Sequence, residues 1–249
     1  MSVDGFELFR TPRTGYMART PAAALRAVGA GNLAAEHFVH ASTSAKPLDE
    51  EPFDLEEIER VLGRPDMNLA TSLLLKRVLA KLVGSREQEV ALFGAEGINT
   101  LESRALARVE ELKGRMALNA GRRLRESLAR AQYELAELHA EAGSVRSFYL
   151  RAAYGTLRPA LHRRKISRTE LTLAVDILIA LRQHLAASRL LQRVHAGADA
   201  GVLLLAARVA FKRGEYVRVV ECCRGLAPAM GSLAVSEQRA VAFWIGGDG

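Results

Sequence analysis

The chain has 249 residues, 49% of them apolar and 25% charged, with a formal charge of +7. That apolar share excludes an intrinsically disordered chain. Two cysteines exclude a disulfide scaffold, and the lack of any run near the roughly 18 apolar residues that span a bilayer excludes a membrane helix.

Aromatic residues make up only 6%. Ala, Leu and Arg abound, and these enter helices at little cost, so an all-α fold is expected. Arg outnumbers Lys by 29 to 6. A basic balance fits nucleic acid or an anionic surface, but it also suits solvated helix faces. Cys222 and Cys223 are adjacent and have no third thiol to pair with. Neighbouring cysteines on one helix cannot bridge without distorting it, so both read as small apolar residues in a reducing compartment.

Residues 1–52 have no sustained period and are punctuated by Thr11-Pro12, Thr20-Pro21 and Lys46-Pro47. Met1–Arg19 lacks the apolar core of a secretory leader, so a soluble, cytoplasmic chain is expected. Short helices are expected over Pro21–Val28 and Leu33–Val39, within a region that tethers or wraps. Residues 49–59 hold seven acids and no base. Asp54 is expected to cap a helix with an apolar face of Leu55, Ile58, Val61 and Leu62, ending at Gly63.

Asp66 or Asn68 then caps a strongly apolar helix, Leu69–Val83, which is expected to lie between neighbours. A long helix follows, from Arg86 to Leu118. Val90, Gly94, Ile98, Leu101, Ala105, Val109, Leu112 and Met116 form one stripe at three- and four-residue spacing. Gly94 and Gly97 each cost about 1 kcal/mol relative to Ala. Close approach by the preceding helix is the expected compensation. Residues 53–122 are thus one helical part, and 123–245 another.

The second part reads as paired helices. Leu124–Ala142 and Val145–Leu161 are joined at Gly143-Ser144, with Pro159 weakening the end. Ser167 caps Leu171–Leu181, and Leu185–Val194 returns on it. Residues 198–226 form a third hairpin about Arg213-Gly214-Glu215, where Gly214 suits a left-handed cap. Its first helix offers Leu203, Leu204, Ala207, Ala210 and Phe211, and its second Tyr216, Val219, Val220 and Cys223. A last helix from Ser236 carries Phe243 and Trp244, expected to cover the last pair.

Three pieces, Tyr133–Gly143, Leu185–Val194 and Ala206–Tyr216, resemble the tetratricopeptide-repeat superfamily. Turns near Gly143, His184 and Gly214 are 41 and 30 residues apart, against 34 in that family, and its Trp and Pro positions are missing. The resemblance implies a solenoid of stacked antiparallel hairpins with degenerate repeats. A single hairpin cannot bury its own apolar faces, so neighbours are required. Glu89–Met116, with Tyr133–Gly143 and Phe148–Tyr154, also resembles the soluble helical-repeat portion of PelE-type proteins of bacterial Pel exopolysaccharide systems. That resemblance implies a scaffold touching other components of an inner-membrane assembly. The family's membrane helices are absent from these residues, which implies a soluble relative or a split component.

Catalytic motifs are missing: there is no phosphate loop, GxSxG, HExxH or CxxC. Nothing else points to an enzyme or a cofactor. Glu36, His37 and His40 could begin a metal site but lack further ligands, so no metal is expected. Asp176 interrupts an apolar run and needs a cation; Arg208 on the following hairpin is the expected partner.

Residues 143–220 carry 14 Lys or Arg against 4 Asp or Glu. A concave face lined with Arg suits carboxylates or phosphates, and the acidic 49–59 stretch is a candidate to cover it. The expected function is a scaffold that binds a protein segment, with Arg146, Arg182, Arg189, Arg208 and Lys212 as candidate contacts. The alternatives are a nucleic-acid-binding helical protein, whose binding would weaken steeply with salt, and an enzyme on a helical frame.

Overall fold

A computed structural model of the protein describes residues 55–64, 67–119, 121–163, 166–194 and 199–246. The expected helices in 21–28 and 33–39, the Asp54 cap and the His37/His40 pair lie outside the described residues. Among the described residues the fold is all helical, with no strand. Ten α-helices follow in order. They are α1 (Leu55–Leu62), α2 (Leu69–Val83), α3 (Gln88–Leu118), α4 (Arg122–Leu138) and α5 (Gly143–Leu161), then α6 (Arg168–Ala180), α7 (His184–Val194), α8 (Ala200–Arg213), α9 (Tyr216–Leu226) and α10 (Val235–Ile245). Two compact units divide within α3, after Ala107.

The first unit is a small helical core. Asn68 caps α2, its side chain accepting from the Thr71 N–H at 2.8 Å. Ile58, Val61 and Leu62 of α1 pack with Leu74, Leu75, Val78, Leu79 and Leu82 of α2 and with Leu101 of α3. Gly94 and Gly97 let the α2 and α3 backbones approach. A Cβ on Gly94 would lie 2.7 Å from the Leu79 carbonyl oxygen and 2.9 Å from the Val83 nitrogen. A Cβ on Gly97 would meet the Leu79 side chain at 2.6 Å. Beside this contact Lys76 of α2 pairs with Glu102 of α3 at 2.6 Å. The α3 stripe read from the sequence is the inward side of that helix, with Leu101, Val109 and Leu112 buried along it.

The second unit packs its helices as neighbouring pairs. Helices α4 and α5 form one hairpin, α6 and α7 the next, and α8 and α9 the third. Each hairpin's second helix packs on the following first helix: α5 on α6, α7 on α8 and α9 on α10. First helices also touch, α4 with α6 and α6 with α8. One core cluster runs from Ala129 and Ala136 of α4 through α5, α6 and α7 to Val202, Leu205 and Val209 of α8. A second holds Ala207 and Ala210 of α8 with Val219, Cys222, Cys223 and Leu226 of α9 and Val241 of α10.

The most enclosed helix is α6, whose Leu171, Leu173, Ala174, Val175, Ile177 and Leu178 are all buried. Full burial of the Leu, Val and Ile side chains is worth about 1.5–3 kcal/mol each. The N-terminus of α6 carries a capping box: the Glu170 N–H donates to Ser167 Oγ, and the Ser167 N–H donates to Glu170 Oε2 at 2.9 Å. Glu170 is itself only 1% exposed. Arg122 at the start of α4 meets it with two bonds, Nε to Oε1 at 2.8 Å and an Nη to Oε2 at 2.6 Å. A bidentate, charge-assisted pair of this kind is strong and geometrically specific. It holds the Glu170 carboxyl down at about 2. Further ties join the hairpins: Thr156 of α5 donates to buried Gln132 of α4 at 2.9 Å, and Arg193 of α7 donates to the Leu161 carbonyl at the end of α5.

One turn differs from the sequence reading. The first turn falls at 139–142 instead of Gly143-Ser144, and Gly143 opens α5. Alanine carries no turn signal, so the run through Glu141 and Ala142 reads as helix although it is not. Pro159 lies inside α5, which ends at Leu161 as expected, with Ala160 and Leu161 buried. A proline there removes one hydrogen bond to the preceding turn, and the packing of the next two residues outweighs that loss.

Two outcomes follow. Gly94→Ala is expected to destabilise by about 1–3 kcal/mol, since main-chain atoms block the added methyl. Gly114→Ala in the same helix, where a Cβ meets nothing within 4 Å, is expected to stabilise by about 0.5–1 kcal/mol. Urea unfolding of both variants checks the contrast, and equal effects would contradict the close approach of α2 and α3. The second concerns acid. The Glu170 carboxyl titrates at about 2 in the folded chain, against an ordinary value of about 4.3 once unfolded. Its contribution is therefore complete above about pH 5 and is lost as pH falls toward 2. Glu170→Gln is expected to lower the melting temperature by several degrees at pH 7 and to lose less stability than the unaltered chain between pH 5 and pH 2.5. Parallel acid-limb slopes would sink the assignment.

Candidate partner-binding site

The C-terminal hairpin and last helix are set by local signals. Asp199 caps α8, accepting from the Gly201 N–H at 3.1 Å. Gly201 lies under Arg168, whose guanidinium would sit 2.5 Å from an added Cβ, so the starts of α6 and α8 approach closely. Gly214 takes φ 74°, the left-handed value glycine adopts cheaply. The N–H groups of Gly214 and Glu215 return to the Phe211 and Ala210 carbonyls, each at 3.0 Å. A 3-10 turn over Ala227–Ser232, with Pro228 in its first turn, then brings α10 back onto α9.

Between α8, α9 and α10 lies a cavity of about 240 Å³, open to solvent, with Ile179 of α6 also lining it. Its floor is Ala207, Val219, Cys223 and Val241, all buried. Leu204, Phe211, Ala240 and Trp244 form the walls, and Arg208 and Lys212 form the polar edge. An aromatic cluster continues outward. Trp244 stacks on Tyr216 with centroids 5.9 Å apart and rings 13° from parallel, and it meets Phe211 and Phe243 edge-on at 6.1 and 5.6 Å. Phe211 is 49% exposed, Tyr216 56% and Phe243 67%. Burial pushes the Cys223 thiol up, so in the floor it serves as an apolar group and not as a thiolate.

Towards α4 a polar series runs along α8, α6 and α4, with Arg146 of α5 joining it. Arg208 of α8 bonds Asp176 of α6 at 2.7 Å, joining two hairpins as the sequence suggested. The Asp176 side chain is 21% exposed, so this pair lies at the surface of the apolar run and not within it. Arg146 at the start of α5 bonds Glu137 of α4 at 2.8 Å, and its Nε is buried with no hydrogen-bond partner. Tyr133 sits among these groups. Burial, with the Glu137 and Asp176 carboxylates, pushes its phenol up to about 12, so it remains a hydrogen-bond donor at any ordinary pH.

Of the five candidate contacts, Arg208 and Lys212 come together at the cavity edge, and Arg146 belongs to the polar series beside it. Arg182 is exposed in the turn between α6 and α7, with a left-handed φ of 59° unusual for a side-chain-bearing residue. Arg189 is exposed on α7, a second helix of its hairpin, and joins neither the cavity nor the polar series. The sequence reading missed the cavity itself. It placed Phe211 and Tyr216 on faces turned inward between helices, and Phe243 in a cover for the last pair. Trp244 and Ile245 of α10 cover the pair in that way, with Val241. The available signal was the gathering of Phe211, Tyr216, Phe243 and Trp244 near one end of an aromatic-poor chain.

Among the described residues no group of three or more His, Cys, Asp or Glu is placed to hold a metal ion, and no helix is long and apolar enough to cross a membrane. Compared with known proteins, the chain matches no family model, no curated protein and no solved structure.

Proposed function

We propose that the chain is a non-enzymatic scaffold that binds a protein segment along the first helices of a degenerate tetratricopeptide-like stack. The observation that carries this reading is the apolar cavity between α8, α9 and α10, flanked by half-exposed aromatic rings and edged by Arg208 and Lys212. Exposed rings around a concave apolar site are characteristic of partner contacts, where aromatic anchors supply most of the binding energy. The stack itself is supported by the packing order, in which first helix touches first helix from α4 to α6 to α8. The mechanism is binding by shape and charge. The resemblance to PelE-type proteins nominates a component of an exopolysaccharide or membrane-associated assembly as the partner to try first.

The nucleic-acid alternative is less favoured because some of the basic residues are already answered. Arg146 and Arg213 pair with Glu137 and Glu215 at 2.8 and 2.7 Å. Each such pair reduces the number of phosphates the face can neutralise.

Affinity capture of the tagged full chain from its own cells, nuclease-treated and at moderate salt, distinguishes the two. One protein at near-equal amount is the expected result. Nucleic acid recovered when nuclease is omitted, with no protein partner, would transfer the reading to the alternative.

A further inference from the structure

We infer that the cavity between α8, α9 and α10 takes one bulky apolar side chain of an acidic amphipathic helix, whose carboxylates meet Lys212 and Arg208. The inference rests on the scaffold reading and specifies what that scaffold binds.

Size is the first argument. The cavity holds about 240 Å³, below the roughly 300–1,000 Å³ of sites that enclose a whole small ligand. It suits a single large side chain entering from a partner. Its floor of Ala207, Val219, Cys223 and Val241 presents no polar side chain apart from the thiol. An apolar anchor would therefore leave no buried donor unsatisfied there.

Charge is the second argument. Arg208 and Lys212 are four residues apart on α8, so they stand about 6 Å apart along the helix axis. Lys212 is exposed and has no acidic partner among the described residues. Arg208 uses one terminal nitrogen on Asp176, and its side chain is still 48% exposed. A guanidinium has five N–H donors, so its outward edge remains able to take a second carboxylate. Two cations one turn apart complement two acids one turn apart on an opposing helix. The surrounding sequence strengthens the sign: 143–220 carries 14 basic against 4 acidic residues.

The third argument is the mode of docking. Half-exposed Phe211 lies between the two cations in sequence, and Trp244 and Tyr216 extend the apolar surface beyond the cavity. A helix laid in a groove needs this arrangement: a central pocket for the anchor, flat apolar surface to either side, and charge at the edge to fix direction.

The test is panning of a displayed library of 18-residue helix-biased peptides against the full chain. Recovered peptides are then titrated by fluorescence anisotropy. Trp244, the only tryptophan, reports locally because it forms a wall of the cavity. The expected peptides carry a Leu, Met or Phe flanked within one turn by at least two acids, and they shift Trp244 emission. Lys212→Glu and Ala240→Phe, the latter filling the cavity from an exposed position, are each expected to weaken binding at least tenfold. Arg189→Glu is expected to change it less than twofold, and melting curves confirm that all three variants fold. Basic or uncharged peptides, or acidic ones indifferent to both substitutions, would overturn the inference and leave the scaffold reading standing. Recovery of no peptide would also overturn it, and the capture experiment would then decide the scaffold reading alone. Saturable binding of dodecyl phosphate without any peptide would overturn it in favour of a small-amphiphile site.

Discussion

Glu170 is a carboxylate enclosed at the start of the most buried helix of the second unit, and its charge has to be met where it stands. Leaving one partner of such a pair buried and unpaired costs about 3–5 kcal/mol. Arg122 meets it with two bonds and Ser167 with the reciprocal capping contacts. The consequence is positional. The start of α4 and the start of α6 are fixed to one another across 48 residues of sequence. The apolar faces of the intervening hairpin then have one way to pack. Hydrophobic burial supplies the driving force but little direction, whereas a bidentate ion pair admits a narrow range of geometries.

From α6 the order passes to α8. Gly201 beneath Arg168 lets the starts of the two helices approach, and Asp176 with Arg208 joins them further along. Because α8 is positioned this way, its side with Leu204, Ala207 and Phe211 faces α9 and α10 across an incompletely filled gap. Complete packing would have placed another large side chain there. Instead the gap is walled by Leu204, Phe211, Ala240 and Trp244 and floored by Ala207, Val219, Cys223 and Val241, with two cations at its mouth. The same stacking that gives the hairpins their stability thus leaves, at the last hairpin, a site with apolar depth and charged edge.

Much of this was legible in the sequence. The α3 stripe, the Asn68 and Ser167 caps, the left-handed Gly214 and the close approach at Gly94 and Gly97 each depend on short-range chemistry that a few neighbouring residues declare. The Asp176–Arg208 pair was also legible, because a carboxylate in an apolar run demands a cation. The cavity was not. Whether Phe211 and Tyr216 point into a neighbour or out to solvent depends on the rotation of α8 and α9 against α10, which is set by contacts far away in sequence. Glu170 was missed for a related reason. Beside Ser167 it reads as a capping acid, and nothing local shows that the same carboxylate is enclosed by another hairpin and answered by Arg122. Of the five basic residues singled out, periodicity could not separate Arg208 and Lys212, which edge the cavity, from Arg189 on a second helix.

Hydrogen–deuterium exchange of the full chain, alone and with the protein it captures, tests the location of binding most directly. The account predicts slowed exchange in Leu204–Arg213 and in Ala240–Ile245, with little change in α1 and α2. Protection confined to residues 55–107, or to α4 and α5, would contradict it.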